Sequence, residues 1–379
     1  MKSSTKELLK FFTQPIFYIP ISLIFFLEIF LRTGIYDSFL KPLSYAANIN
    51  RIKSIVKNSS IDPNVLVVGT SVPYQGLLLN DLNDYSKKDQ VNVVFQSIAT
   101  QGAFLVTQNM LLNYTLRERD NIKYMIHFAD LDFPWQQRYD LELANRSMLA
   151  QFDISETISI LKEYEYIIKP EDYRFFYIKI LTYQKDLRDF FLNPLGRFKS
   201  LSKSRKQLSQ DYSFINNNDY ALGYYGSTVE ECINNAIKGI PYFKDNQQIT
   251  DEPHRTAVLD TCKMANYDPY DDPGRLTWEN LFYIRLNHLY QTAFKNGLKI
   301  ITILPPYSIF MQKTRDEKKA QFWVETIHKI DPNIIILDHR FVLDDDKNLF
   351  YFYDTIHLNR VGAEKYTQIF YKDIIKFIK

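Results

Sequence analysis

Two motifs far apart in the chain carry side chains suited to nucleophilic chemistry. Ser71 ends the run Gly69-Thr70-Ser71, and Asp354 stands three positions before His357. A serine hydroxyl is a poor nucleophile until a base removes its proton, and histidine is the commonest such base. A carboxylate next to the imidazole holds its tautomer and stabilises the imidazolium. The two motifs together therefore predict a catalytic triad of Ser71, His357 and Asp354.

Short apolar runs bounded by polar or turn residues predict the strands that would position this triad. They cover Val65–Val68, Val91–Phe95, Tyr124–Phe128, Ile300–Leu304 and Ile334–Leu337. Helical spacing of apolar residues lies between several of them and after the last one. Such alternation is typical of a parallel sheet with helices on both faces. Ligands bind at the carboxyl ends of these strands, and the serine motif directly follows the first strand.

The alternation stops between Phe133 and about Arg275. A stretch of this length is too long for a structureless loop in a compact domain, and Asp153–Ile168 has a helical pattern. We therefore predict a mainly helical cap, residues 133–275, inserted between the third and fourth strands; we call it the insertion. It contains a basic run, Arg197–Lys206. This run either contacts an anionic partner, such as lipid headgroups or an acidic polymer, or forms a solvated loop.

The N-terminal region predicts a membrane anchor. From Pro15 to Leu31 the chain has 17 residues with a single charge, Glu28. With Phe11 and Phe12 this approaches the roughly 20 residues that span a bilayer. The preceding lysines favour a cytoplasmic N-terminus. A cleaved signal peptide, a buried core helix and an interfacial segment are the alternatives. Glu28 is expected either to contact a membrane partner or to reach the interface from the end of the helix.

This interpretation divides the chain into three parts. Residues 1–36 form a cytoplasmic N-terminus and a transmembrane helix, 37–60 a helical stalk, and 61–379 the α/β domain. The domain would then lie outside the cytoplasmic membrane, in a periplasmic or extracellular location. Cys232 and Cys262 are not part of a Cys-x-x-Cys motif, and either one disulfide or two thiols fits them.

Composition excludes some classes of function. The formal net charge is +2, which leaves no electrostatic footprint for nucleic acid. The histidines are scattered without metal-ligand spacing, so neither a metal site nor a cofactor is expected.

The two motifs resemble the first and last conserved blocks of the SGNH, or GDSL-like, hydrolase superfamily. The resemblance covers about 65–132 and 276–379 and implies a three-layer, flavodoxin-like parallel sheet with a serine nucleophile. The family also uses a glycine after strand two and an asparagine after strand three as oxyanion-hole donors. Gly102 falls at the position of the glycine, but Asp130 stands near that of the asparagine. The expected hole therefore consists of the Ser71 and Gly102 amides, with or without a residue from elsewhere.

The membrane anchor and the insertion resemble one branch of this superfamily, which includes accessory proteins of polysaccharide O-acetylation and teichoic-acid D-alanylation. The resemblance implies a membrane-tethered acyltransferase or esterase that acts with a membrane-bound O-acyltransferase on a cell-envelope glycopolymer. A catalytically inactive scaffold or glycan-binding subunit, and a plain esterase without a partner, are the alternatives. The candidates for substrate contact are Thr70, Asp130, Arg138, Tyr307 and Asn359.

Overall fold

A sheet of five parallel strands forms the centre of the domain. The structure, a computed structural model, describes residues 14–131, 134–207, 216, 218–239, 242–244, 247–249, 251–265, 275–312 and 314–378. The central strands are β1 (Val65–Val68), β2 (Phe95–Ser97), β3 (Tyr124–Phe128), β6 (Lys299–Leu304) and β7 (Ile335–Asp338). A separate antiparallel pair within the insertion consists of β4 (Tyr242–Lys244) and β5 (Gln247–Ile249).

The central strands lie in the order β2-β1-β3-β6-β7. The chain therefore passes from β1 to β2 on one side of the sheet, and from β3 to β6 and β7 on the other side. The loops that leave these two strands diverge, which opens a crevice at the carboxyl edge of the sheet. Val68 is paired with His127 in register, so the residues after β1 and β3 face this crevice together.

Helices account for most of the remaining described chain. Before the insertion they are α1 (Pro15–Arg32), α2 (Tyr45–Asn58), α3 (Ser71–Gly76), α4 (Leu79–Lys88) and α5 (Leu105–Glu118). The described part of the insertion contains α6 (Leu143–Leu149), α7 (Ile154–Glu163), α8 (Pro170–Tyr177), α9 (Lys179–Thr182), α10 (Gln184–Leu192), α11 (Pro194–Gln207), α12 (Val229–Lys238) and α13 (Glu252–Met264). After it come α14 (Arg275–Lys295), α15 (Glu317–Ile330) and α16 (Arg360–Ile374). Single 3-10 turns lie at Ile35–Phe39, Pro134–Gln136, Leu222–Tyr225 and Asn348–Phe350.

Alternate side chains of β3 show how helices cover both faces of the sheet. Phe128 packs on Phe370 of α16, with ring centroids 5.7 Å apart. His127 points to the opposite face, where its ring lies 5.5 Å from that of Tyr290 in α14. This alternation follows from the two-residue period of a strand, and burial on both faces explains why the strands read as nearly continuous apolar runs.

The second strand begins later than its apolar pattern predicts. Pairing with β1 starts at Phe95, opposite Val65, rather than at Val91. The Val94 amide donates to the side chain of Asn64, and the Val91 amide donates to the Ser86 carbonyl. The valines are therefore used in a turn that leads into the strand.

The expected stalk, residues 37–60, is part of the domain. Its helix α2 begins after Ser44, whose hydroxyl accepts from the Ala47 amide. Ile49, Ile52 and Val56 form one apolar stripe and belong to the main hydrophobic core. A helix with such a stripe is stable only when the stripe is buried against another element, so the segment packs on the domain instead of standing apart from it.

The apolar N-terminal segment forms α1, and its last turn is fastened to the insertion. Both oxygens of Glu28 accept hydrogen bonds at 3.0 Å, from the amides of Lys179 and Ile180. Within the described ranges, no helix has the length and hydropathy needed to cross a bilayer. The lysines that predict the orientation, and the two phenylalanines that extend the apolar segment, lie outside the described residues.

A disulfide joins Cys232 of α12 to Cys262 of α13. The bond closes a loop of 30 residues within the insertion, and both side chains are buried. The sequence left open whether the two cysteines form a disulfide or remain thiols, and the structure has the disulfide.

We expect the double variant Cys232→Ala/Cys262→Ala to unfold at a lower urea concentration than the oxidised protein. Closing a loop of this size stabilises a folded chain by about 3–4 kcal/mol, mainly because it restricts the unfolded state. Reduced wild-type protein is the control, because it should match the variant if the cross-link is responsible. Equal midpoints for the oxidised protein and the variant would contradict the expectation.

Candidate active site

The serine motif lies at the carboxyl edge of the sheet, where β1 turns directly into α3. Gly69 permits this turn, since a Cβ at its position would come within 2.7 Å of the Pro73 ring. Ser71 is the first residue of α3 and has no intrahelical partner for its amide. No described residue accepts a hydrogen bond from that amide. The serine is therefore presented at the crevice with its hydroxyl and its amide on the same short turn.

The second motif forms a closed turn just before α16. Asp354 Oδ1 accepts from the amides of Ile356 and His357, each at 2.8 Å. The turn is closed by a hydrogen bond of 2.7 Å from the Tyr353 amide to the His357 carbonyl. The remaining oxygen, Oδ2, lies 2.8 Å from Nδ1 of His357. One carboxylate thus holds both the backbone and the ring of the histidine.

The structure brings the three predicted triad residues into one hydrogen-bonded row. Nε2 of His357 lies 2.8 Å from Oγ of Ser71, across a sequence separation of 286 residues. Because a carboxylate can only accept, the imidazole proton lies on Nδ1 toward Asp354. The Nε2 lone pair therefore faces the serine hydroxyl, which is the arrangement that removes its proton.

The charges of this row stabilise each other. Burial opposes ionisation of Asp354, but His357 and two backbone amides hold the pKa of its carboxyl below the usual range. Burial also lowers the pKa of His357, yet the Asp354 carboxylate, and after it Asp130, raise it above the usual value of an imidazole. The His357 side chain is still 19 % exposed, so a reactant can reach it from the crevice.

Three of the predicted substrate contacts form a second cluster after β1, β3 and β6. Asp130 accepts from the hydroxyl of Thr70 at 3.2 Å and from that of Tyr307 at 2.9 Å. The Tyr307 hydroxyl in turn accepts from the Leu131 amide at 3.0 Å. Tyr307 is buried, so its described contacts orient Asp130. The Asp130 charge acts on His357, where it favours the imidazolium that forms when Ser71 loses its proton.

Residues 98–104, between β2 and α5, form a loop that we call the Gly102 loop. It lies beside the turn from β1 into α3. Its backbone reaches that turn through a hydrogen bond of 3.4 Å from the Thr100 amide to the Gly69 carbonyl. Gly102 has a left-handed conformation with φ of 68°, which favours glycine. Its amide, like that of Ser71, donates to no described residue. These two free donors are the predicted oxyanion-hole pair.

Asn145, a buried residue of the insertion, fixes the Gly102 loop. Its Oδ1 accepts from the Phe104 amide at 2.9 Å and from the Thr107 hydroxyl at 2.7 Å. Its Nδ2 donates to the Gly102 carbonyl at 3.1 Å. The Asn145 side chain therefore fixes the orientation of the peptide bond between Gly102 and Ala103. Through the φ and ψ angles of Gly102, it also affects the direction of the Gly102 amide.

Two other parts of the insertion hold the triad motifs. Asn216 donates both to the Gln75 carbonyl at the end of α3 and to the Leu358 carbonyl, each at 2.9 Å. His254 of α13 lies with its Nε2 2.6 Å from the Tyr353 carbonyl, next to Asp354. Sequence reasoning missed these residues and Asn145. Each contacts backbone far away in the chain, and such a contact leaves no pattern in the sequence around it.

The two remaining predicted contacts lie elsewhere. Asn359 is buried and caps α16: its Oδ1 accepts from the Gly362 amide, and its Nδ2 donates to the Tyr220 and Phe350 carbonyls. Its hydrogen-bonding atoms are thus committed to the protein. Arg138 is exposed, and in the described chain its side chain forms no hydrogen bond with the triad; its carbonyl accepts from buried Arg285.

A cavity extends from the neighbourhood of the Gly102 loop. Tyr45, whose ring lies against Gly102, also lines a cavity of about 940 Å³ between α2 and the insertion. Its walls combine apolar side chains such as Phe175 with charged ones such as Arg146. The volume lies within the range of small-molecule sites.

No family model and no curated protein sequence matches this chain. In the part of the chain that the structure describes, no three His, Cys, Asp or Glu side chains are grouped so that they could hold a metal ion. The described site consists of a serine hydroxyl at hydrogen-bond distance from an imidazole, a carboxylate on the other ring nitrogen, and two backbone amides without a described acceptor.

We expect Asp130→Asn to move the pH dependence of serine reactivity to lower pH. The reaction needs neutral His357, so the rate rises with pH through the pKa of that imidazole. Asp130 raises this pKa, and removal of its charge lowers it. The measurement is the rate of labelling by a fluorophosphonate as a function of pH. Asp346→Asn, which removes an exposed charge, is the control and should leave the rising limb unchanged. If the rate rises over the same pH range in Asp130→Asn as in the wild type, Asp130 does not raise the pKa of His357.

We expect Asn145→Asp to slow labelling of Ser71 by about 10²-fold, because the Gly102 amide would lose its orientation. The aspartate keeps both acceptor contacts but replaces the donor to the Gly102 carbonyl with an oxygen. Asn83→Asp is a matched control, since Asn83 clamps the backbone of Phe95 through both atoms at the opposite edge of the sheet. Equal rates in the two variants, with unchanged thermal stability, would show that Asn145 has no part in the hole.

Proposed function

We propose that this protein is a serine acyltransferase or esterase with the SGNH type of site. The single observation that carries the proposal is the row Asp354–His357–Ser71, with both hydrogen bonds at 2.8 Å. A buried carboxylate, an imidazole with a raised pKa and a serine hydroxyl in this order are the parts that acyl transfer requires.

The geometry supports a two-step reaction. His357 Nε2 takes the proton of Ser71 as Oγ attacks the acyl carbon of the donor. The resulting oxyanion is stabilised by the amides of Ser71 and Gly102, and it collapses as the leaving group departs with the proton from Nε2. In the second step His357 removes a proton from a hydroxyl of the acceptor, or from water, whose oxygen attacks the acyl-serine. Collapse returns the proton to Ser71 and releases the acylated acceptor or the free acid.

The architecture supports the same proposal. Counted among themselves, the parallel strands have the order 2-1-3-4-5, which is the flavodoxin-like arrangement with its ligand site between the first and third strands. Ser71 and Asp130 follow these two strands. The resemblance of Gly69-Thr70-Ser71 and of the Asp354–His357 motif to the SGNH blocks agrees with this order, and Asp130 remains a departure from the family pattern.

Transfer to an extracytoplasmic glycopolymer, together with a membrane-bound O-acyltransferase, is the proposed physiological reaction. The exposed apolar side chains of α1 support a membrane-tethered protein, and the disulfide supports an oxidising compartment. The alternative is an inactive scaffold or glycan-binding subunit of a membrane complex. The carboxylate of Asp130, at a position where the family has an amide donor, favours that alternative.

We expect a fluorophosphonate to label the full-length protein at Ser71 and Ser71→Ala to abolish the labelling. Asp354→Asn should lower the labelling rate by about 10⁴-fold, because the imidazole would lose its tautomer. The matched control is Ser155→Ala, an exposed serine of α7, which should react like the wild type. Labelling that survives Ser71→Ala would overturn the assignment. Wild-type envelope acylation in cells that carry only Ser71→Ala would favour the scaffold.

A second measurement separates transfer from hydrolysis. An aryl acetate is offered to the detergent-solubilised full chain, with and without a hydroxyl-bearing oligosaccharide. A transferase should form the acetylated oligosaccharide, and the rate at which it releases the aryl group should rise with acceptor concentration. A plain esterase should release the aryl group at a constant rate and form acetate alone.

A further inference from the structure

Helices α10 and α11 expose a group of large apolar side chains where they meet. Phe191, Leu192, Leu195 and Phe198 are 68 %, 75 %, 76 % and 49 % exposed, and we call them the apolar tip. Single exposed apolar residues are common on protein surfaces, but a contiguous group of large ones marks a surface that binds something. The four residues lie within eight positions on both sides of one helix junction.

Ionic contacts of one buried arginine hold the apolar tip in place. The Arg197 side chain is 1 % exposed and donates to Asp186 at 2.8 Å and to Asp189 at 2.6 Å, which fastens α11 to α10. It also donates to the Phe39 carbonyl at 2.8 Å. At the junction, Asn193 accepts from the Gly196 amide at 2.9 Å. The exposed side chains thus project from a well-connected helix pair and not from a frayed end.

The apolar tip adjoins the chain that leaves α1. Phe39 is the last residue of the 3-10 turn that follows α1. Its ring packs edge-on against two others, with centroids 6.2 Å from that of Phe198 and 6.4 Å from that of Phe190. The Tyr36 hydroxyl donates to Asp186 at 2.7 Å. Together with the contacts of Glu28 to α9, these bonds join α1 and the helix pair in one unit. The exposed apolar side chains of α1 and those of the apolar tip therefore belong to connected elements.

Basic side chains flank the apolar tip. Lys185 and Arg188 on α10, and Lys199 and Lys203 on α11, are exposed. Helix α11 contains no acidic residue. On α10, the nearest carboxylates, Asp186 and Asp189, are paired with Arg197. Among the described residues, no ion pair is formed by these four basic side chains, so helices α10 and α11 carry an excess of positive charge.

We propose that the apolar tip inserts into the interfacial region of a bilayer that contains anionic lipid. Large apolar side chains on a basic helical surface enter the boundary between headgroups and acyl chains, where Lys and Arg contact the phosphates. Together with the membrane tether proposed for α1, this contact would fix the tilt of the domain over the bilayer. The proposal does not depend on the chemistry of Ser71.

The test uses the full-length protein reconstituted in phosphatidylcholine vesicles with or without phosphatidylglycerol. Leu192→Cys carries an environment-sensitive fluorophore, and Ile237→Cys, an exposed apolar position on α12, is the matched control. The native cysteines are joined to each other, so the introduced thiol is the one that reacts. The vesicles contain lipids with a nitroxide at a shallow or a deep position of the acyl chain.

We expect the fluorophore at position 192 to show a blue shift and to be quenched more by the shallow than by the deep nitroxide, whereas position 237 shows neither effect. Adding Lys199→Glu and Lys203→Glu should reduce the quenching in anionic vesicles, as should high salt. Circular dichroism and the thermal unfolding midpoint of each variant check that the fold is intact without involving the apolar tip or the chemistry of Ser71.

Equal quenching at positions 192 and 237 would overturn the proposal. So would a water-exposed signal at position 192 in anionic vesicles when the variant unfolds at the same temperature as the wild type. In that case the apolar tip would have to bind a protein, and a blue shift that appears only with native membranes would indicate such a partner. If quenching is the same with and without anionic lipid, and the same in the lysine variants, the basic side chains have no role in binding.

Discussion

The buried carboxylate of Asp354 is the group on which the rest of the site depends. An ion in the interior is costly unless every lone pair that faces protein has a donor. Asp354 meets this condition with two amides of its own turn and the ring of His357. The same three bonds define the turn, fix the tautomer and give the imidazole its basicity. A change that removes the charge would therefore affect the fold and the chemistry together.

The position of this carboxylate is set from two directions. From the sheet side, β1 delivers Ser71, and Asn359 begins α16 just after the histidine. From the other side, the insertion contacts the backbone next to each motif through Asn145, Asn216 and His254. A five-stranded sheet with its own helices would leave these backbone groups facing water. The insertion is thus a structural part of the site as well as its cover.

Local patterns predicted much of the fold and of the site. β1 and β3 have the predicted bounds because their apolar runs are buried on both faces, and the triad residues follow from two compact motifs. Contacts between distant parts of the chain were not predictable in the same way. The valines before Phe95 have strand-like side chains, but Asn64 takes the Val94 amide. Residues 37–60 have the pattern of an amphipathic helix, and that pattern does not say which surface the helix covers.

The sequence separation between Ser71 and His357 has a consequence for biosynthesis. The chain is made from its N-terminus, so the serine exists for most of translation without its base. The Ser71–His357 hydrogen bond forms only when the last strand and the turn before α16 have joined the sheet, and Asn216 then connects the two motifs. A truncated or half-folded copy would carry an inert alcohol. Under the proposed function, the order of residues along the chain would keep unfinished molecules from transferring acyl groups.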